Sequence, residues 1–221
     1  MQKSSSTKNT EIKKSSTFLK SLESEVRKLS HSRRLAFAAS CCERAYPNYV
    51  AFFQHTHWGG PATLRAALNK VWDFVEGSIK ALADISELEQ KCAAVTPDLD
   101  DFSTSEIDVQ AGAAQEAAFM VRLLLQFCRD NQVSYAVRIT TFARDTIDMY
   151  IQVAENLDPS DPELDAKIAQ NPLMRQEIRN QESDLLKLSQ IKTPAELQQF
   201  RRCAMKPERS NIGLMPQQHP S

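Results

Sequence analysis

The sequence predicts an all-α fold: an irregular or orthogonal bundle of seven to nine helices with no sheet. Three observations carry that expectation. Glycine is scarce, 5 residues in 221, where average usage is about 7%, and strand-rich folds need glycine for turns and bulges. Apolar residues recur with the 3.6-residue period of a helix rather than the alternation of a strand. Prolines and capping residues stand where those periodic segments begin.

From the N-terminus, residues 1–15 (MQKSSSTKNTEIKKS) have almost no apolar content and are expected to form a disordered, basic Ser/Lys tail. A single helical domain over 16–206 and an extended C-terminal tail over 207–221 complete the expected organisation. Within the domain, Phe18, Leu19, Leu22, Val26 and Leu29 make the first stripe. Leu35, Ala38, Ala39, Cys42 and Tyr46 make the second, and Leu64, Leu68, Val71, Trp72, Val75 and Ile79 the third. Ile85, Leu88, Cys92 and Val95 form a short fourth. Ala111, Ala114, Ala118, Val121, Leu125 and Cys128 form a fifth, on an alanine-rich helix over 104–130 that should be central, because small side chains let neighbours approach closely. The most regular runs through Ile139, Phe142, Ala143, Ile147, Tyr150, Ile151, Ala154 and Leu157. A helix over about 172–191 has only a weak stripe (Met174, Ile178, Leu185, Leu188) with Gln181 in its middle, which suits a surface or interface helix.

Pro61, Pro162, Pro172 and Pro194 each follow a candidate N-cap: Gly60, Asp161, Asn171 and Thr193. Proline suits the first helical turn because its missing N–H would have no partner there. Thr193 with Glu196, Asp84 with Glu87, and Ser103 with Glu106 have the spacing of a capping box.

Composition excludes several functions. Apolar residues at 42% and charged residues at 25% are ordinary for a soluble domain. A net charge of −1 implies no general affinity for nucleic acid or membrane. The charge is uneven: residues 1–34 hold nine Lys/Arg against three glutamates, and residues 92–121 hold six acids and no base. A solvated tail and an acidic loop account for this, and contact of the tail with an anionic partner is the sharper alternative. Cys41, Cys42, Cys92, Cys128 and Cys203 include no CxxC pair, and four lie on apolar stripes, as for reduced thiols acting as small hydrophobes. The N-terminus lacks the apolar region of a signal peptide and no run of 18 apolar residues occurs, so a cytoplasmic protein is expected.

The stretch CCERAYPNYVAFFQHTHWGG, residues 41–60, holds the candidate site. Proline disfavours helical backbone in the residue before it. One helix is therefore expected to stop near Tyr46 and another to start at Pro47, making a corner. His55 and His57 diverge by about 200° on a helix and so cannot share a metal there. No HExxH or Glu-x-x-His pair accompanies them, and no metal or cofactor is expected. Cys42 lies on the core stripe, while Cys41 could sit near Arg44 as a thiolate. Glu43 and Arg44 interrupt an apolar neighbourhood and need partners if buried. The sequence offers Arg122, Arg138 and Arg144 for Glu43, and Glu116, Asp145 and Asp148 for Arg44. Two readings stand: a polar network that fixes helix register, or the lining of a ligand pocket formed by Glu43, Arg44, Tyr46, Asn48 and Tyr49. Asp145 and Asp148 have a spacing that could serve acid–base work, but fall mostly off the core face. No catalytic residue is assigned.

The segment Cys42-Glu43-Arg44-Ala45-Tyr46-Pro47-Asn48-Tyr49 with Phe52, the pair Trp72-Asp73, the run Ile139-Thr140-Thr141 and the late Ser210-Asn211-Ile212-Gly213 resemble the YjaG-like bacterial family known as domain of unknown function 416. The resemblance runs from about residue 18 to 215. It implies a soluble, all-helical bacterial protein and supplies no catalytic mechanism. Ile212 between Asn211 and Gly213 suits a tail that turns back and docks, with the Tyr46–Tyr49 corner as its expected groove. The functional expectation is a non-enzymatic interaction or structural protein, as a homodimer or with an unidentified protein partner. The alternative is a small-ligand-binding protein or enzyme with its pocket at the corner.

Overall fold

The computed structural model describes residues 20–80, 84–102, 108–207 and 209–214. The expected tail at 1–15, Phe18 and Leu19 of the first stripe, and the Ser103–Glu106 box lie outside them. Among the described residues there are nine helices and no strand. Helix α1 covers 20–28, α2 His31–Thr56, α3 Pro61–Val75 and α4 Ile85–Ala94. A 3-10 turn, Leu99–Phe102, precedes α5 at Asp108–Asp130. Then follow α6 (Val133–Ala154), α7 (Leu164–Gln170), α8 (Pro172–Gln190) and α9 (Pro194–Ala204).

The alanine-rich α5 is central, as its sequence suggests. It packs against α2, α3, α4 and α6, and Ala111, Ala114, Ala117 and Ala118 are buried on its inner face. The main core gathers Leu35, Phe37 and Phe52 of α2, Leu68 and Trp72 of α3, and Leu124, Leu125 and Phe127 of α5. A second, smaller cluster joins Ile147 and Ile151 of α6, Ile168 of α7, Met174 of α8 and Ile212 of the C-terminal segment.

Local chemistry sets three of the helix starts. Pro61, Pro172 and Pro194 each open a helix. The Asn171 side chain accepts from Leu173 N–H, and Thr193 with Glu196 completes the reciprocal capping box. Two expectations fail. Pro162 falls in a turn, with α7 beginning two residues later; Asp161 Oδ1 instead accepts from Glu163 N–H at 2.8 Å. Asp84 takes a left-handed backbone (φ 62°) and makes no side-chain cap, because a cap needs the extended backbone that aims the side chain at the first turn.

The larger correction concerns Pro47. There is no corner: α2 runs unbroken through it for 26 residues. An interior proline removes one helical hydrogen bond and costs about 3 kcal/mol, so something must compensate. Leu35 to Ala39, Cys41, Cys42, Ala45, Tyr49 and Phe52 are all buried along α2, and the Arg44 carbonyl, in the turn before the proline, accepts the N–H of Asn211 at 3.0 Å. Tertiary burial and a backbone bond from the distant C-terminal segment keep helical what local preference would break. A turn closes this stretch. His57 caps α2 in the left-handed region, and Gly59 (φ 100°) lies so close to Tyr49 that a Cβ would collide with its hydroxyl.

Candidate functional site

Consecutive helical residues point about 100° apart, so Glu43 and Arg44 leave α2 towards different neighbours. Glu43 is buried against α3, where its Oε1 accepts from Arg65 Nη2 at 2.7 Å and from Trp72 Nε1 at 2.9 Å. Arg65 supplies the cation that the sequence sought in Arg122, Arg138 or Arg144. The same guanidinium lies 4.7 Å over the Tyr46 ring, whose hydroxyl donates to the Pro61 carbonyl at 3.1 Å. Tyr49 reaches the end of α4: its hydroxyl donates to the Val95 carbonyl and accepts the Gly60 N–H at 3.0 Å. Burial holds both tyrosine pKa values above their ordinary range.

Arg44 faces α8. Its Nε and Nη2 form a two-pronged pair with Glu177, each at 2.9 Å, and its Nη1 donates to Asp184 Oδ2 at 2.7 Å. These acids replace Glu116, Asp145 and Asp148 of the sequence expectation. Ser40 Oγ lies 2.8 Å from the same Asp184 oxygen, and Gln181 Nε2 donates to Glu177 Oε1 at 2.9 Å. Burial pulls the Arg44 pKa down, but Glu177, Cys41 and Asp184 outweigh it and hold the guanidinium well above its usual range. Arg44 Nη2 also reaches Cys41 Sγ at 3.4 Å. Even so, burial outweighs that neighbour and pushes the Cys41 thiol up to about 12, so it stays protonated and unreactive at neutral pH. Burial raises Cys42, Cys92 and Cys128 as well.

Asn48 points to the chain's end. Its Nδ2 donates to Asn211 Oδ1 at 2.7 Å, while Asn211 Nδ2 donates to the Ala143 carbonyl of α6 at 3.0 Å. The segment 210–214 closes on itself: Gly213 N–H donates to Ser210 O at 2.9 Å and Ser210 N–H to Leu214 O at 2.7 Å. Gly213 needs its positive φ of 85° to make this turn. The segment does dock on α2, but on the side of Arg44 and Asn48 rather than in a groove of Tyr46 and Tyr49, with Ile212 buried in the second cluster.

The five candidate residues thus share one helix but face three sets of neighbours. His55 and His57 are exposed, and His55 contacts Gln110 at 3.1 Å. Among the described residues no group of three His, Cys, Asp or Glu comes together as metal ligands. A groove of about 770 Å³ opens between α8, α9 and the 209–213 segment, within the range of roughly 300–1,000 Å³ for small-molecule clefts. Leu173, Phe200 and Ala204 contribute apolar surface to it, and Arg44, Glu177 and Asp184 reach its wall. Of the five candidates, Arg44 lines this groove; Glu43, Tyr46, Asn48 and Tyr49 do not.

Sequence reasoning missed Glu177, Asp184, Arg65 and the partnership of Glu43 with Trp72. One signal was available. Met174, Glu177, Gln181, Asp184 and Leu188 lie on one helical stripe, so α8 has polar residues at core positions, and the buried ones demand partners. The pair Trp72-Asp73 gains a reason too, since Trp72 bonds Glu43 while Asp73 and Glu76 both bond Arg201 of α9, at 2.9 and 2.7 Å.

Residues 21–215 match the profile of a protein family of unknown function, DUF416. The uncharacterised protein YjaG of Escherichia coli (strain K12) is 27% identical over 150 residues, covering 68% of this chain and 72% of YjaG. A crystal structure of a DUF416 family protein from Shewanella baltica OS155 superposes with a TM-score of 0.78 at 24% identity, covering 87% of this chain and 97% of that one. At that identity the likeness shows the fold alone. Among the described residues, no helix is long and apolar enough to cross a membrane.

Proposed function

This chain belongs to the DUF416 family, whose function is unassigned, and from that premise we propose that it is a non-enzymatic interaction protein. One observation carries the reading: the charged groups of the buried α2 segment are committed to other residues of the same chain. Glu43 is bonded by Arg65 and Trp72, and all three guanidinium nitrogens of Arg44 are bonded by Glu177, Asp184 and Cys41. A catalytic group needs free access to a reacting atom; Glu43 is only 1% exposed, and Arg44, in the groove wall, has every guanidinium nitrogen already bonded. They act as fasteners that set α3 and α8 against α2. Cytoplasmic residence suits the five cysteines, all of them free thiols.

A second reading is favoured by the α8–α9 groove, with Arg44 in its wall: a small ligand bound there. A thermal-shift screen with divalent metals, nucleotides, amino acids and sugar phosphates separates the two. The interaction reading expects no saturable stabilisation. A ligand at a hundredfold excess over its Kd would add about 2.7 kcal/mol, or roughly 5–10 °C for a chain of this size. Such a rise, lost when Ser183→Trp fills the groove, would overturn the interaction reading in favour of the ligand.

A further inference from the structure

Helix α6 carries a second stripe that lies largely outside the core, with only Phe142 packed against it. Arg138, Phe142, Asp145, Met149 and Val153 fall within an arc of about 80° on its outer side. Met149 and Val153 are 57% and 58% exposed, two of the four large hydrophobic residues exposed among the described residues. Arg138 is exposed and makes no ion pair among the described residues. Phe142 is half-buried against Phe119 of α5, ring centres 6.4 Å apart. Alongside, Glu116 of α5 has a shielded oxygen, Oε2, without a hydrogen-bond partner. Burial, and then the charge of Asp145, push that carboxyl up to about 7. The stripe therefore offers an unpaired cation at one end, crowded carboxyl groups near its middle, and exposed apolar side chains beyond.

Such a pattern can complement itself. A two-fold interface sets each patch against its own copy. With the axis passing near Phe142, two α6 helices lie antiparallel and the two Phe142 rings meet at the centre. Arg138 stands four residues to one side of Phe142 and Asp145 three residues to the other, displacements of about 6 and 4.5 Å along the helix. Two-fold rotation brings them opposite one another, twice. Seven residues out, Met149 falls opposite Tyr135 of the second copy, a sulfur–aromatic contact.

We propose that the protein associates with a second copy of itself through this outer stripe of α6, Arg138 of each copy meeting Asp145 of the other. The proposal deepens the interaction reading by naming its partner. Charge reversal tests it, read by sedimentation velocity across a concentration series. Arg138→Asp and Asp145→Arg should each weaken the wild-type dimer about tenfold or more in Kd. The double variant should recover it, and the two single variants mixed should form a heterodimer. Met149→Glu should also weaken it. All these residues are exposed or half-exposed, so an unchanged Tm in the monomeric state checks folding. A wild-type chain still monomeric at roughly 100 µM, so that its dimer Kd lies well above that concentration, would overturn the proposal. A dimer indifferent to Arg138, Asp145 and Met149 would overturn it too. Neither outcome touches the interaction reading, which fails instead on ligand-induced stabilisation.

Discussion

The two flanks of α2 around Pro47 are fastened by different means. On one, every bond reaches a residue near in sequence: Glu43 to Arg65 and Trp72, Tyr46 to Pro61, Tyr49 to Gly60 and Val95. Most of these bonds involve neutral groups, and the one cation, Arg65, stays 25% exposed. On the other flank every bond that leaves α2 crosses most of the chain: Ser40 and Arg44 to Asp184, Arg44 to Glu177, Asn48 to Asn211. There a guanidinium only 11% exposed meets two carboxyl groups, one of them 1% exposed. The first flank staples a local helix pair, whose closure costs little chain entropy. The second clamps the C-terminal third of the chain onto α2 through desolvated charge, where losing one partner is expensive and losing all of them need not be.

That contrast can be broken most forcefully at Arg44. Arg44→Met strands Glu177 and Asp184 and should cost roughly 3–5 kcal/mol, or about 6–20 °C in Tm, measured by urea unfolding and calorimetry. Replacing all three, as Arg44→Met with Glu177→Met and Asp184→Leu, should recover much of the loss, because an apolar cluster of similar volume substitutes well for a buried ionic one. Deleting residues 209–221 comes next. It removes Ile212 from its cluster and three bonds of Asn211, and should cost roughly 2–4 kcal/mol; an unchanged Tm would mean that the segment does not dock. Glu43→Gln, on the local flank, keeps an acceptor for Trp72 and should cost only about 1–2 kcal/mol. Tyr46→Phe removes one bond to the Pro61 carbonyl and should cost about 1 kcal/mol. A larger loss for Glu43→Gln than for Arg44→Met would reverse the comparison.

Legibility in the sequence follows the same divide. The stripes of α3, α5 and α6, the openings at Pro61, Pro172 and Pro194 and the Thr193 box were readable, because each depends on neighbours within one or two turns. Pro47 misled. Its local preference for ending a helix is real, but burial of the flanking side chains and the bond from Asn211 overrode it. That Glu43 and Arg44 would need partners if buried was also readable; which partners was not. The acids chosen for Arg44 lay on α5 and α6, whereas α8 supplies them.

By itself the sequence determined that this chain is helical, where the helices opened by Pro61, Pro172 and Pro194 start, and that two charged residues in an apolar stretch would need partners if buried. Those properties come from side-chain periodicity and from hydrogen bonds spanning three or four residues. Tertiary structure alone decided that α2 would run through its proline, that α8 would answer Arg44, and that the segment at 210–214 would reach the carbonyl beside it. Each of those contacts joins residues more than 130 positions apart, and their meeting depends on how the helices pack, which no local pattern encodes.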